Sequence, residues 1–389
     1  MKIPRMLVFS LMLAVALAML PASLAAGNFV FTNNEGSPNT VTVFRVAPTT
    51  DALDKVGDFS THGDGCEGLF AANRIVLSPN GNYVFAANDN DSNIAVLRVD
   101  KATGELTFID TYSTGSNDCD HASNGASMSI TPNGKFLYVG NAGSFNLTTF
   151  SVAEDGALNS LGLTSLPGAA DGVEVAPNGK FLAVALAGVN KVAMVSIGKT
   201  GALTTVSGSP FAAAYAGLAS GVSFKCNSKF LFTGQANGTQ TAVDVFSVAK
   251  DGSLTEIFGG PFTFFDNEAV NSNVVLYKPF GQLLFVSNQE SNTVVDFKVD
   301  SQGLLAAGPN SPVSTGSGGI PSGMASNSVG NSDSHKTGHL LYVASDDGTV
   351  AVFTVATDGT LTAVTGSPFP TGASGFLESL AVWPGGGCK

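Results

Sequence analysis

The chain has 389 residues, with 46 glycines, 17 prolines, 12% charged residues and a net charge of −12. So few Glu, Lys and Arg cannot clothe the outer faces of long helices or coiled coils, and charged disordered tails are excluded too. A surface this acidic repels phosphate backbones, which excludes nucleic acid as a partner.

The chain opens on Lys2 and Arg5, followed by a nearly unbroken apolar run from Leu7 to Leu20, Pro21 and the small residues Ala22, Ser23, Ala25 and Ala26. A charged start, an apolar stretch shorter than the about 20 residues of a membrane helix, and a small-residue cleavage site read as a secretory signal over residues 1–26. A retained membrane anchor is the alternative. Residues 27–389 are then the mature domain, secreted or periplasmic, with no stable membrane insertion after cleavage.

Beyond the leader, one line recurs about every fifty residues: an apolar run, a Pro-Asn-Gly turn and a second apolar run. It reads IVLSPNGNYVFAAN from Ile75, MSITPNGKFLYVGN from Met128 and VEVAPNGKFLAVAL from Val173, with weaker copies from Val222 and Val275. A third run follows each copy, and then a fourth that opens on Gly, as in GELTFI and GALTTV. Four strands per repeat predict propeller blades. We label the strands A to D from the axis outward. The mature chain begins on a B strand (NFVFTNN), continues with C (Thr40 to Val46) and D (Leu53 to Phe59), and lacks an A strand. FLESLAVWP, from Phe376 to Pro384, matches an A strand with nothing after it. The two ends therefore complete one blade, and the expected fold is an all-β, seven-bladed β-propeller of four-stranded antiparallel blades. The A strand of blade seven lies near Ser322 to Asn327, and its A–B turn is replaced by the polar insertion Val329 to Gly338. The Gly-Ser-Pro-Phe copies at Gly208 and Gly366, and Gly-Gly-Pro-Phe at Gly259, read as blade connections.

SPNGKFLYV-like lines alternating with Asp-Gly-x-Leu outer strands resemble the lactonase family of seven-bladed propellers, which includes 6-phosphogluconolactonases and carboxymuconate cyclases. YVTN-type repeat proteins share the same look. The resemblance covers nearly all of the mature chain. It implies a lactone hydrolase, a carboxylic ester hydrolase acting on a small-molecule lactone or sugar acid. The family's active members place His, Arg and Glu around one mouth of the channel, often as Pro-Arg-His. This chain has no Pro-Arg-His; its nearest matches are Asn73-Arg74 and Asp120-His121.

Six residues before each turn proline stand Asn73, Ala126, Asp171, Ser220, Asn273 and Glu378, with Ser322 aligned from blade seven. This mostly polar ring at the channel mouth is the candidate site. Asp171, Glu378 or His121 could activate a water, and Arg74 could hold a developing negative charge or a substrate carboxylate. Arg74 could equally be a strand residue bonded to loop carbonyls. Asn73, Ser220, Asn273 and Ser322 would contact substrate. NDNDSN at Asn88 to Asn93 offers oxygen ligands but lacks the closing Glu of a calcium loop, so neither a metal nor a cofactor is expected. Cys66 and Cys119 occupy equivalent D-to-A loops. Cys226 and Cys388 fall on the opposite face. Bridges Cys66–Cys119 and Cys226–Cys388 are expected in an exported protein. The reading is a monomeric lactonase-like propeller. The alternative is a non-catalytic propeller that binds an extracellular protein, glycan or cell-surface ligand through its loop face.

Overall fold

The computed structural model describes residues 27–66, 73–116, 126–215, 217–236, 241–257, 259–264, 272–278, 282–289, 291–327, 339–373, 375–385 and 388. The expected leader (1–26) and most of the seventh-blade insertion lie outside them, as do His121 and Cys119.

Each recurring line folds as an antiparallel A–B pair. In blade two, A is Ile75–Leu77 and B is Tyr83–Asn88. The turn between them closes on Ser78, whose Oγ accepts the amides of Asn82 (3.1 Å) and Tyr83 (2.9 Å). Gly81 stands at φ +69° there, the left-handed region that favours glycine. Blade three repeats the device with Thr131 and Gly134.

Among the described residues the strands form seven antiparallel sheets. The shared blade is as expected: Ser379–Trp383 pairs with Phe29–Asn33 over five residues, outside which lie Thr40–Val46 and Leu53–Ser60. The A strands of consecutive blades touch all the way round, blade seven against blade one included, so the ring is closed. Closure leaves no inner sheet open to edge-to-edge pairing. In blade seven A is Pro321–Ser326, close to the expected span. Blades four to seven depart from a simple four-strand count. Their outer strand is two short pieces that both pair with C, Leu203–Thr205 and Phe211–Ala212 in blade four, and the connecting Ser-Pro turns, Gly-Pro in blade five, lie between them. Ser209 Oγ accepts the Met194 amide there (2.9 Å), and Ser311 and Ser367 do the same in blades six and seven.

The core lies between blades rather than within them. The buried apolar residues fall into clusters that each span two neighbours, such as Val173, Leu182 and Val184 with Tyr138 and Leu147. A repeated joint adds to this. The C–D turn glycine of one blade rests on a ring from the blade before: Gly104 on Phe29, Gly156 on Tyr83, Gly201 on Phe136, Gly252 on Phe181 and Gly303 on Phe230. Blade seven breaks the series, because Gly359 meets Leu283 and the buried carboxyl of Asp296. The innermost strands are also stitched edge to edge. Ser129 Oγ accepts the Val175 amide (2.9 Å), Glu174 Oε2 that of Phe224 (3.2 Å) and Ser223 Oγ that of Tyr277 (3.1 Å). These side chains satisfy amides that no strand covers.

Candidate functional site

We call the end where A strands begin and B strands finish the upper end. Four charged side chains meet there between blades one and two. Arg74 precedes A of blade two, and Glu378 precedes A of blade one. Glu35 and Asp89 follow the B strands of blades one and two. Arg74 Nη1 lies 3.2 Å from Glu35 and 3.3 Å from Asp89, and Nη2 lies 3.1 Å from Glu378. The side chains of Arg74, Glu35 and Asp89 are 0% exposed and that of Glu378 2%.

Local structure holds each member. Glu35 sits in the left-handed region (φ 51°), where Oε1 accepts the Asn33 amide group (2.6 Å) and Oε2 the Cys66 backbone amide (3.3 Å). Asn39 bonds in turn to Asn33 (2.8 Å) and Asn88 (3.1 Å), tying the two B-strand ends together. Asp89 Oδ1 accepts the Ala126 amide from blade three (3.1 Å). The Glu378 carbonyl accepts the Ser322 hydroxyl (2.8 Å) and the Gly323 amide (2.8 Å). A side chain at Gly323 would lie 2.6 Å from that carbonyl, so only glycine lets blades seven and one approach this closely.

Three carboxylates face one guanidinium. Full ionisation would leave excess negative charge in a dry interior, which holds the carboxyls above their usual range. Burial raises Glu35 well above the usual carboxylate range, with Asp89 adding and Arg74 opposing. Burial also raises Asp89, against the pull of Arg74 and the Ala126 amide. Glu378 is pushed up to about 8 by burial, with Arg74 opposing and the charges of Asp89 and Asp346 adding. Burial works against the Arg74 charge, but Glu378, Glu35 and Asp89 overcome it and keep the guanidinium protonated. Arg74 is therefore committed to three internal acids.

The expected ring is brought together in part. Arg74, Glu378 and Ser322 meet. Asn73 has φ 65° and accepts the Met128 amide through its carbonyl (3.0 Å), a backbone stitch between blades two and three. Asp171 is 5% exposed at a bulge in A of blade four, and Ser220 is buried in A of blade five. The Asn273 side chain and His121 lie outside the described residues. At the opposite, lower end Cys226 is bonded to Cys388. Cys66 is also disulfide-bonded, and its expected partner Cys119 lies outside the described residues.

Two acids escaped the ring of aligned positions. Glu35 occupies the B–C loop NNEG, the counterpart of the loop that carries Asp89, and an acid just after the last B-strand asparagine is the signal that finds both. Glu174, three residues before the turn proline, belongs to the inter-blade stitch, and burial pushes it up to about 8. Among the described residues no group of His, Cys, Asp and Glu is arranged to hold a metal ion.

A sequence model described as lactonase, 7-bladed beta-propeller, matches residues 4–118 and 75–216, together more than half of the chain. A 6-phosphogluconolactonase of Pectobacterium carotovorum is 36% identical over 90 residues. That match spans 22% of this chain and 26% of the relative, so the chain aligns with about a quarter of the relative's length. Among solved structures, a Bacteroides fragilis protein superposes with a TM-score of 0.72 at 20% identity, covering 93% of this chain and 99% of the other. The periplasmic gluconolactonase of Pseudomonas aeruginosa gives 0.69 at 18%, covering 91% and 98%. At these identities the superpositions establish the fold. With the closed ring of seven blades and the matched family model, the chain belongs to the lactonase family of seven-bladed β-propellers.

Proposed function

We propose that this protein is an exported lactone hydrolase whose reaction takes place at the upper end of the ring, with Glu378 as the acid–base group. The observation that carries the reading is the Glu378 carboxyl. It sits at the start of an innermost strand, fixed by Arg74 at 3.1 Å and tuned to about 8, so both protonation states are accessible near neutrality. As carboxylate it takes a proton from water attacking the lactone carbonyl. As acid it returns that proton to the ring oxygen when the acyl C–O bond breaks. Arg74 is assigned to positioning rather than to the oxyanion, because its charge is already met on three sides. Asp171, in the bulge of blade four, is the second candidate base. Asn73, Ser220, Asn273 and Ser322 stay assigned to substrate contact, and His121 to the loop above.

Proton release on a panel of sugar lactones tests this. Turnover above the spontaneous rate is expected, with kcat/KM rising with pH through an apparent pKa near 8. The competing reading, a binding module, draws on exposed Phe145 (48%) and Val189 (40%) in neighbouring B–C turns of the same end. No turnover on any lactone, together with saturable binding of a glycan or protein, would establish that reading instead.

A further inference from the structure

Resting on the lactonase reading, we propose that the site takes uncharged lactones and rejects phosphorylated ones, because the end that holds it carries negative charge and, among its described residues, offers an anion no lysine or arginine outside an ion pair except Lys191. The first observation is where the cations lie. Lys101, Lys135, Lys180, Lys199, Lys229 and Lys250 all occupy A–B or C–D turns, at the lower end. Among the described residues of the upper loops and strand ends, the lysines and arginines are Arg74, enclosed by three acids, and Lys191, exposed at the start of C in blade four. Lys55 reaches the Thr371 carbonyl from an outer strand and is paired with Asp58. The undescribed segments 67–72, 117–125, 237–240 and 265–271 contain no lysine or arginine in their sequence.

The second observation is how the upper-end acids are held. Asp64 accepts the Ser37 hydroxyl (2.8 Å), Asp91 the Asp64 amide (2.9 Å), Asp346 the Ile320 amide (2.6 Å) and Asp347 the Ser317 hydroxyl (2.7 Å). Neutral donors orient these carboxylates without cancelling their charge. The third observation concerns neutral groups. At the same end the Gln289 amide (1% exposed) and the Ser345 hydroxyl (0%) are buried and have no hydrogen-bond partner among the described residues. Amide and hydroxyl groups in need of partners suit the hydroxyls of a polyol.

The field then separates the reaction's participants. A neutral lactone approaches unopposed. Water adds across the acyl C–O bond, one proton goes to the released ring oxygen, the new carboxylic acid loses its proton to solvent, and the resulting anion is repelled from the end where it formed. A phosphate ester meets that repulsion on the way in.

The test measures kcat/KM by proton release on glucono-δ-lactone and its 6-phosphate at 20 and 300 mM KCl. At low salt the neutral lactone should be favoured by about 100-fold, the scale on which charged clefts alter association. Its rate should change less than about twofold with salt, while the phosphorylated rate climbs as the field is screened. Asp347→Asn should narrow the gap and leave neutral turnover unchanged. Equal or better use of the phosphorylated lactone, or a rate on it that falls with salt, would overturn the proposal while leaving lactone hydrolysis intact. Absence of turnover on both would overturn the lactonase reading, and the proposal with it.

Discussion

The two ends of the ring are built on different terms. At the lower end one device recurs: Ser78 or Thr131 closes its own hairpin, and in blades two to six a glycine rests on the ring of the blade before. At the upper end no blade is sufficient by itself. Arg74 needs Glu35 and Glu378 from blade one and Asp89 from blade two, and Asp89 needs an amide from blade three. The contrast teaches that closure of the ring precedes the site. The lower-end joints repeat around the ring, whereas the charged cluster is assembled once, beside the seam where Ser379–Trp383 pairs with Phe29–Asn33.

Breaking the upper end should cost most. Arg74→Met leaves three buried carboxyls without their cation, and loss of one partner of a buried ion pair costs about 3–5 kcal/mol. Urea unfolding should show a drop of that size, and a change under about 1 kcal/mol would mean the acids are already fully neutral. Next comes the lower-end clasp. Cys226 lies in the A–B turn of blade five and Cys388 beyond the last strand, 162 residues apart in sequence. Cys226→Ser with Cys388→Ser should lower stability by about 2–4 kcal/mol. At a single lower joint, Gly252→Ala drives a methyl into the Phe181 ring from φ +88° and should cost about 1–3 kcal/mol.

The pH dependence sharpens the comparison with a smaller effect. Glu174 and Glu378, raised from 4.5 to about 8, bind protons more tightly folded than unfolded. The stability they contribute is complete below 4.5 and is lost as pH rises through 8. Lys278, a buried lower-end lysine that burial lowers to about 7, acts in the opposite sense and favours the folded state as pH rises from 7 to 10.5. Urea midpoints should therefore fall from pH 5 to 8, where the two glutamates outweigh Lys278, and Glu174→Gln should flatten the slope. An unchanged slope in that variant would show that Glu174 is ionised in its stitch to Phe224.

Much of the lower end is legible in the amino-acid sequence, because Pro-Asn-Gly and period-two apolar runs act through neighbours along the chain. The seam is legible for the same reason: a B strand without an A at the start and an A without a B at the end have only each other. Glu378 could be aligned through its turn proline, and Arg74 stands one place after the aligned Asn73, whereas Ser322 could be placed only from its strand because an insertion replaces its turn. Glu35 could not, since the turn proline sets no register for the B–C loops and its partner lies 39 residues away. Nor does alignment reveal that Arg74 faces three acids. The divided outer strands of blades four to seven were concealed because a Ser-Pro turn within an edge strand looks the same as one after it.

That the reaction belongs to the upper end and not to the lower joints is tested most directly by measuring lactone turnover and urea midpoint together for Glu378→Gln and Gly252→Ala. The account predicts a crossed pattern. Glu378→Gln should lose at least about 100-fold in kcat, the scale of a general acid–base group, with its midpoint nearly kept, and Gly252→Ala should lower the midpoint while its folded protein turns over normally. Undiminished turnover in Glu378→Gln would contradict it.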